Sequence, residues 1–318
     1  MNDNTLNNRH DFLMLFEVTN GNPNGDPDAG NMPRLDPNTN RGLVSDVCLK
    51  RKVRNFVELF PHDRANSDAN GFNILIKQGA VIETEQKKGE AAAKELEKDK
   101  GKQPEAAIKW LCREFYDVRT FGGVLSTGNG MLKGSAWGQV RGPVQITFAQ
   151  SFHAITPLEI PITVCAARTE DKPIEQQIGI QGRKHIVPYA LYVAKGYVSP
   201  AFAERTGFTQ ADLDVLFEAL LLMFRNDPSA ARAEMVLRGL YDFEHVGTQH
   251  ENNAPQNKRE ARLGCAHAHK LFEGIKVELT DEAKAKGFPE SFADYKVTCD
   301  WTENNLPKGV QLHKRHDM

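Results

Sequence analysis

The apolar positions of this chain change their period several times, and each change predicts an element. Residues 12–18, FLMLFEV, are apolar almost without interruption, which predicts a strand buried on both faces and therefore central in its sheet. Within 44–60, VSDVCLKRKVRNFVELF, the residues Leu49, Val53, Phe56, Val57 and Phe60 recur at helical spacing and make one stripe about 100° wide. Ser45 suits the N-cap of that helix, Asp46 suits its first turn, and Pro61 its stop. FNILIKQGAVIE, 72–83, predicts two short strands around Gln78 and Gly79. The charged, low-complexity run 85–103 predicts a solvated helix or a linker. Pro104 opens a helix over 104–118 whose buried stripe is Ile108, Leu111, Cys112 and Phe115.

Strands follow at 143–155, 158–167 and 189–198. Between the last two, residues 168–188 show no period, which is long for a structureless loop and marks a functional or disordered segment. A helix is predicted over 209–225, a strand over 235–246, a polar loop over 247–263, either one helix or a helix then strand over 265–279, and a late strand over 294–301. Strands and helices alternate too irregularly for a barrel or a doubly wound sheet. The pattern predicts an α+β domain that opens strand–loop–helix, as a ferredoxin-like or RRM-like unit does.

Charge changes the picture. The formal net charge is −2, whereas a protein that grips nucleic acid over its whole surface is strongly basic. Any nucleic-acid contact must therefore be local. Five cysteines without a CxxC pair predict free thiols in a reducing cytosol. No run of about 18 apolar residues and no apolar leader core is present, so the expectation is a cytoplasmic protein with no membrane partner.

The polar stretch GNPNGDPDAGN, 21–31, is the first candidate site. Asn20, Asn22, Asn24, Asp26 and Asp28 alternate as in a calcium loop. A register starting at Asn20 puts Gly25 at the sixth position but Asn31 at the twelfth, where a glutamate is needed; a register starting at Asp26 ends on Pro37. Both fail, leaving a magnesium on Asp26 and Asp28 or a plain turn. GNGMLKGSAWG lacks the phosphate-loop order because Lys133 precedes Gly134. Cys265 and His269 share a helix face, but two ligands are too few for zinc. Lys50, Arg51 and Arg54 fall on one arc beside the apolar stripe, with Lys52 apart and no interleaved acid. That is either a solvated face or a cationic ridge that follows phosphates. Arg183 and Lys184 form a second cluster, and Arg141 stands among glycines. Arg119 and Phe121 precede two glycines, an arrangement suited to stacking on a base or sugar.

Three stretches together, FEVTNGNPNGDPDAGNMPRLDPNTNRGLVSDVCLKRKVRN, RTFGGVLS and GRKHIVPYALYVAKGYVSP, closely resemble the type I-C CRISPR backbone subunit, the Cas-seven family (Csd-two branch). The resemblance runs over about residues 11–275, and loop 247–264 departs from it in length. It implies a single domain over 1–318: an RRM-like (ferredoxin-like) palm with inserted helical fingers at 85–130 and a thumb β-hairpin at 165–188. It further implies a guide-RNA-binding subunit that oligomerises along CRISPR RNA in a Cascade surveillance complex for antiviral defence. The implied partners are CRISPR RNA, target DNA, adjacent copies, a Cas-five subunit, and the large and small Cascade subunits. RNA contact carries over to Asn22, Asn24, Lys50, Arg51 and Arg54, then to Arg141, Arg183 and Lys184. Related type III subunits cut RNA with an aspartate in a comparable loop, so a metal-dependent ribonuclease using Asp26 and Asp28 is the alternative. Type I complexes recruit a separate nuclease, so the expectation is a non-catalytic scaffold without cofactor.

Overall fold

A computed structural model describes residues 6–59, 71–126, 129–232, 234–248 and 254–317. In chain order, β1 (Arg9–Gly21) is followed by β2 (Gly25–Asp26), β3 (Met32–Pro33), β4 (Arg41–Val44) and α1 (Asp46–Leu59). A lobe comes next, made of α2 (Ile82–Leu96), α3 (Gln103–Glu114), α4 (Tyr116–Phe121), β5 (Gly122–Val124) and β6 (Gln139–Arg141). The chain returns through β7 (Val144–Ile146) and β8 (Ala149–Ala154), then runs out and back along β9 (Leu158–Thr163) and β10 (Gln181–Val198). After α5 (Pro200–Thr206), α6 (Gln210–Leu222) and β11 (Glu234–His245) come α7 (Ala254–Leu263), α8 (Ala268–Glu273), β12 (Ile275–Leu279), α9 (Asp281–Lys286), β13 (Tyr295–Cys299) and β14 (Val310–His316).

The main sheet runs β14-β11-β1-β10-β8-β4, with antiparallel neighbours throughout. This is a mixed α/β fold on one large antiparallel sheet. β1 sits between β10 and β11, and its residues alternate between two cores. Phe12, Met14, Phe16 and Val18 face the core shared with α1 and α6; Leu13 and Leu15 face the core of α8, β12 and β13. Burial on both faces is why the strand reads as an unbroken apolar run. Gly196 of β10 is required there, because a Cβ would sit 2.0 Å from the Phe12 ring.

α1 begins as expected, with the Ser45 hydroxyl accepting from Cys48 N at 3.3 Å. Phe60 and Pro61 lie outside the described residues. α6 starts with a capping box in which Thr209 and Asp212 exchange hydrogen bonds. The lobe has its own core, around Leu75, Ala93, Leu111, Cys112, Phe115 and Leu132. Thus the charged run 85–103 is mostly a packed helix, with Gln86, Gly89, Glu90 and Ala93 buried.

Several elements differ from the sequence expectation. Residues 72–83 form no strand pair: Leu75 N and Ile76 N donate to the buried Asp117 carboxylate at 2.9 and 3.0 Å, and α2 starts at Ile82. A side chain satisfies the backbone groups that a sheet would have satisfied. The polar stretch after 247 contains α7, and β4 and β14 were not foreseen. No helix among the described residues is long and apolar enough to cross a membrane.

Candidate nucleic-acid interface

β1 ends by delivering its polar loop beside the root of β10, where Gly21 pairs with Val187. The loop is a bonded structure. Asn22 Nδ2 donates to Asn31 O (2.7 Å), and Asn22 N to Ala231 O (2.7 Å). Asn24 Oδ1 accepts from Ser45 N (2.8 Å), which ties the loop to the start of α1. Cys48 Sγ donates to Pro23 O (3.4 Å). Burial pushes the Cys48 thiol up, and the Lys52 charge works against it. Asp26 Oδ1 accepts from Asp28 N (3.2 Å) while Asp26 Oδ2 pairs with Arg34 (3.3 Å). Among the described residues no three His, Cys, Asp or Glu side chains are grouped to hold a metal.

Three of the four cations of α1 are held by acidic side chains. Lys50 pairs with Asp46 one turn back (2.9 Å) and lies 5.7 Å from the Phe121 ring centroid. Arg54 is buried, donates to Asp117 (2.8 Å) and crosses the same ring at 5.3 Å. Lys52 is buried against Asp227 and Phe224. Arg51 is exposed and makes no ion pair among the described residues.

Arg119 is a correction. The expected stacking residue has no exposed surface; its Nε and Nη2 donate to Asp212 Oδ1 (3.0 and 2.6 Å) and Nη1 to Gly71 O (2.6 Å). Its guanidinium lies 5.1 Å from the Phe72 centroid and 5.4 Å from that of Tyr116. It holds the lobe to α6 and cannot reach a ligand without opening the core. Phe121 is buried as well and serves as the shelf beneath Lys50 and Arg54.

Arg141 is exposed on β6 and stacks on Phe202 at 4.3 Å. Arg183 and Lys184 are exposed on the outer half of β10, where it pairs with β9 from Gln181–Thr163 to Ile186–Leu158. Arg183 pairs with Glu159 across that ladder (3.0 Å). Lys184 Nζ donates to Ala230 O (3.3 Å), next to the residue that receives Asn22 N. Loop 20–36, the start of α1, segment 227–232 and the root of β10 therefore converge.

On the loop and the β10 root, three polar atoms among the described residues are buried without a hydrogen-bond partner: Asn22 Oδ1, Arg34 Nε and His185 Nδ1. Arg34 and His185 carried no signal in the sequence beyond lying within conspicuous stretches. Lys52 stood out only as the cation apart from its neighbours, and its partner Asp227, 175 residues on, carried no signal.

Comparison with known proteins adds the family. The model described as "CRISPR-associated protein Cas7" matches residues 8–300. A curated "CRISPR-associated protein Cas7" from Haloferax volcanii is 28% identical over 229 residues, 67% of this chain, and the chain spans 63% of that protein's length. Among solved structures, a chain of a "CRISPR RNA-guided surveillance complex, pre-nicking" is 18% identical, with 74% of this chain and 75% of that one covered and a TM-score of 0.45. A chain of a second "CRISPR RNA-guided surveillance complex" is 17% identical, with 83% and 80% covered and a TM-score of 0.43.

Proposed function

From the premise that this chain belongs to the Cas7 family of CRISPR-associated proteins, we propose that it is a guide-RNA backbone subunit of a type I-C Cascade, in the Csd-two branch. The large sheet with α1, α5 and α6 is the RRM-like palm, the α2–α3 lobe the fingers, and the β9–β10 hairpin the thumb. Copies line up along one CRISPR RNA, each thumb reaching the next copy, and the guide bases left between them pair with target DNA. A Cas-five subunit and the large and small subunits complete the assembly, which works in the cytoplasm.

The observation that carries this reading is the trio of partnerless buried atoms at the loop and hairpin root. Arg34 Nε is a donor, His185 Nδ1 is a donor or an acceptor according to its tautomer, and Asn22 Oδ1 is an acceptor. An RNA backbone offers phosphate oxygens to the first two and a ribose 2′-hydroxyl to the third. The exposed cations Arg183 and Lys184 lie on the same strand as His185, and Arg51 lies on the helix that the loop leads into.

The protein should co-purify with its operon neighbours and a CRISPR transcript, read as a raised 260/280 nm absorbance ratio and as sequenced guide RNA. Lys50→Ala with Arg51→Ala should weaken binding of every guide alike and flatten the salt dependence by about one slope unit per lost contact. Arg54 stays in place, because its removal strands the buried Asp117. Equal binding by the double variant at several salt concentrations would count against the reading.

We also read the subunit as a scaffold rather than a nuclease, since both Asp26 oxygens already serve loop contacts. RNA should survive incubation with the protein in magnesium. Cleavage that disappears in Asp26→Ala, Asp28→Ala would replace this reading with the ribonuclease.

A further inference from the structure

The last two strands at one end of the main sheet differ in reach. β14 covers β11 only from Leu240 to His245. On its other side β11 is paired with β1 over its whole length, from Glu234 to His245. Residues 234–239 therefore have a strand on one side and, among the described residues, none on the other. This leaves about 20 Å of sheet edge whose outward N–H and C=O groups another extended chain can pair.

The two halves of this end of the sheet carry different side chains. β14, VQLHKRH, presents the exposed Lys314, an edge charge of the kind that turns away a further strand. The bare stretch of β11 reads EMVLRG. Of its two charged residues, Arg238 is drawn onto β1 by Glu17, and Glu234 stands at the outer end. An open cleft of about 580 Å3 runs between this stretch and the end of α6. Leu221, Leu222 and Phe224 line one side of it, Met235 and Leu237 the other. Leu221 and Leu222 are only half-buried. Arg225 also lines the cleft, is exposed, and makes no ion pair among the described residues.

Edge and cleft suit the same occupant. A strand laid on the bare edge places every second side chain on the α6 side, where Met235 and Leu237 lie. Those side chains would enter the cleft and complete the burial of Leu221 and Leu222. The alternate ones would lie on the side of Arg238 and Phe292. A helix has no spare backbone groups along its side, so it cannot complete the ladder, whereas an extended segment can. We propose that residues 234–239 are a docking edge for an extended segment of a partner protein. The segment adds antiparallel to β11, in line with β14, with apolar side chains at alternate positions and an acidic one for Arg225. Such docking is a protein contact and is expected whether or not the chain binds RNA.

The test uses the full chain and end-blocked eight-residue peptides in which valine alternates with serine. One serine is replaced by aspartate in one set and by lysine in another. Peptide binding should slow hydrogen exchange of the outward amides within 234–239 about tenfold. The aspartate set should bind about fivefold more tightly than the lysine set, and Arg225→Glu should reverse that order without changing the melting temperature. Methylating the peptide nitrogens on the paired side should abolish binding, and methylating those on the other side should not. If no peptide protects 234–239 at millimolar concentration, the docking edge is overturned. Equal binding by the two methylated forms overturns it as well, since the cleft would then take an apolar side chain without the ladder. Slow exchange at 234–239 in the free chain that quickens on dilution would assign the edge to a second copy instead. Should Arg225→Glu lower the melting temperature, the two methylated forms decide.

Discussion

The lobe built on α2 and α3 buries its own apolar side chains, whereas the β9–β10 hairpin exposes those it has. Leu111 and Ala93 in the lobe have no exposed surface. In the hairpin, Leu158, Ile160, Ile162, Ile178 and Ile180 are each 40–51% exposed. Period-two alternation sets Leu158, Ile160 and Ile162 on one face of the ladder and Glu159, with its partner Arg183, on the other. An isolated two-stranded ladder is marginal in water. This one is anchored because β10 continues into the sheet, and its uncovered apolar face is of the kind that another molecule buries. Both segments branch from the same sheet, yet one supplies its own core and the other leaves its apolar face uncovered.

Each segment holds one cysteine, and the pair gives the largest contrast. Cys112 is buried in the lobe core and Cys165 is exposed at the hairpin. In native protein a thiol reagent should modify Cys165 at once, and Cys112 on the order of a thousandfold or more slower, since Cys112 must wait for the lobe to open. Comparable rates would mean that the lobe core is not closed. Each segment also has an arginine ion pair. Arg119→Ala leaves Asp212 buried and unpaired, so urea denaturation should show a loss of about 3–5 kcal/mol. Arg183→Ala breaks an exposed pair and should cost about 1 kcal/mol or less. Leu111→Ala should cost about 2–5 kcal/mol, against roughly 0.5 kcal/mol for Ile162→Ala in the free chain. If instead Ile162→Ala costs as much as Leu111→Ala, the hairpin is covered in the free chain.

The last effect is alkaline. Burial pushes the Cys112 thiol up to about 12, with the Arg119 charge opposing. Because the folded value lies above the ordinary 9.0, this stabilisation is full below pH 9 and is lost as pH rises towards 12. By pH 10 the loss is about 1.4 kcal/mol. Cys112→Ala should flatten the fall in stability between pH 9 and 10.

Elements whose burial pattern is set by a continuous core were legible from sequence. β1 shows its burial on both faces as an apolar run, α1 shows its cap, and α6 shows its length. Elements half in solvent were not. β14, VQLHKRH, is an edge strand whose polar residues hide its period, and the outer third of β10 holds no buried residue on either face. The site was legible in part. The Asn-rich loop and Arg51 stood out by composition, but the role of Arg119 depends on Asp212, 93 residues away. The partner of Arg54 is likewise remote, 63 residues on at Asp117. Basic residues look alike along a sequence whether they face a phosphate or a buried carboxylate.

β10 is one strand of 18 residues, about 60 Å from end to end. Its outer third projects with β9, and from Val187 to Val198 it is gripped by β1. The hairpin is therefore continuous with the sheet through the Gly21–Val187 pair, where the grip of β1 begins. A sideways load on its tip becomes torque at the base of the Asn-rich loop. A pull along its length is spread in shear over the whole inner ladder, instead of unzipping one bond at a time.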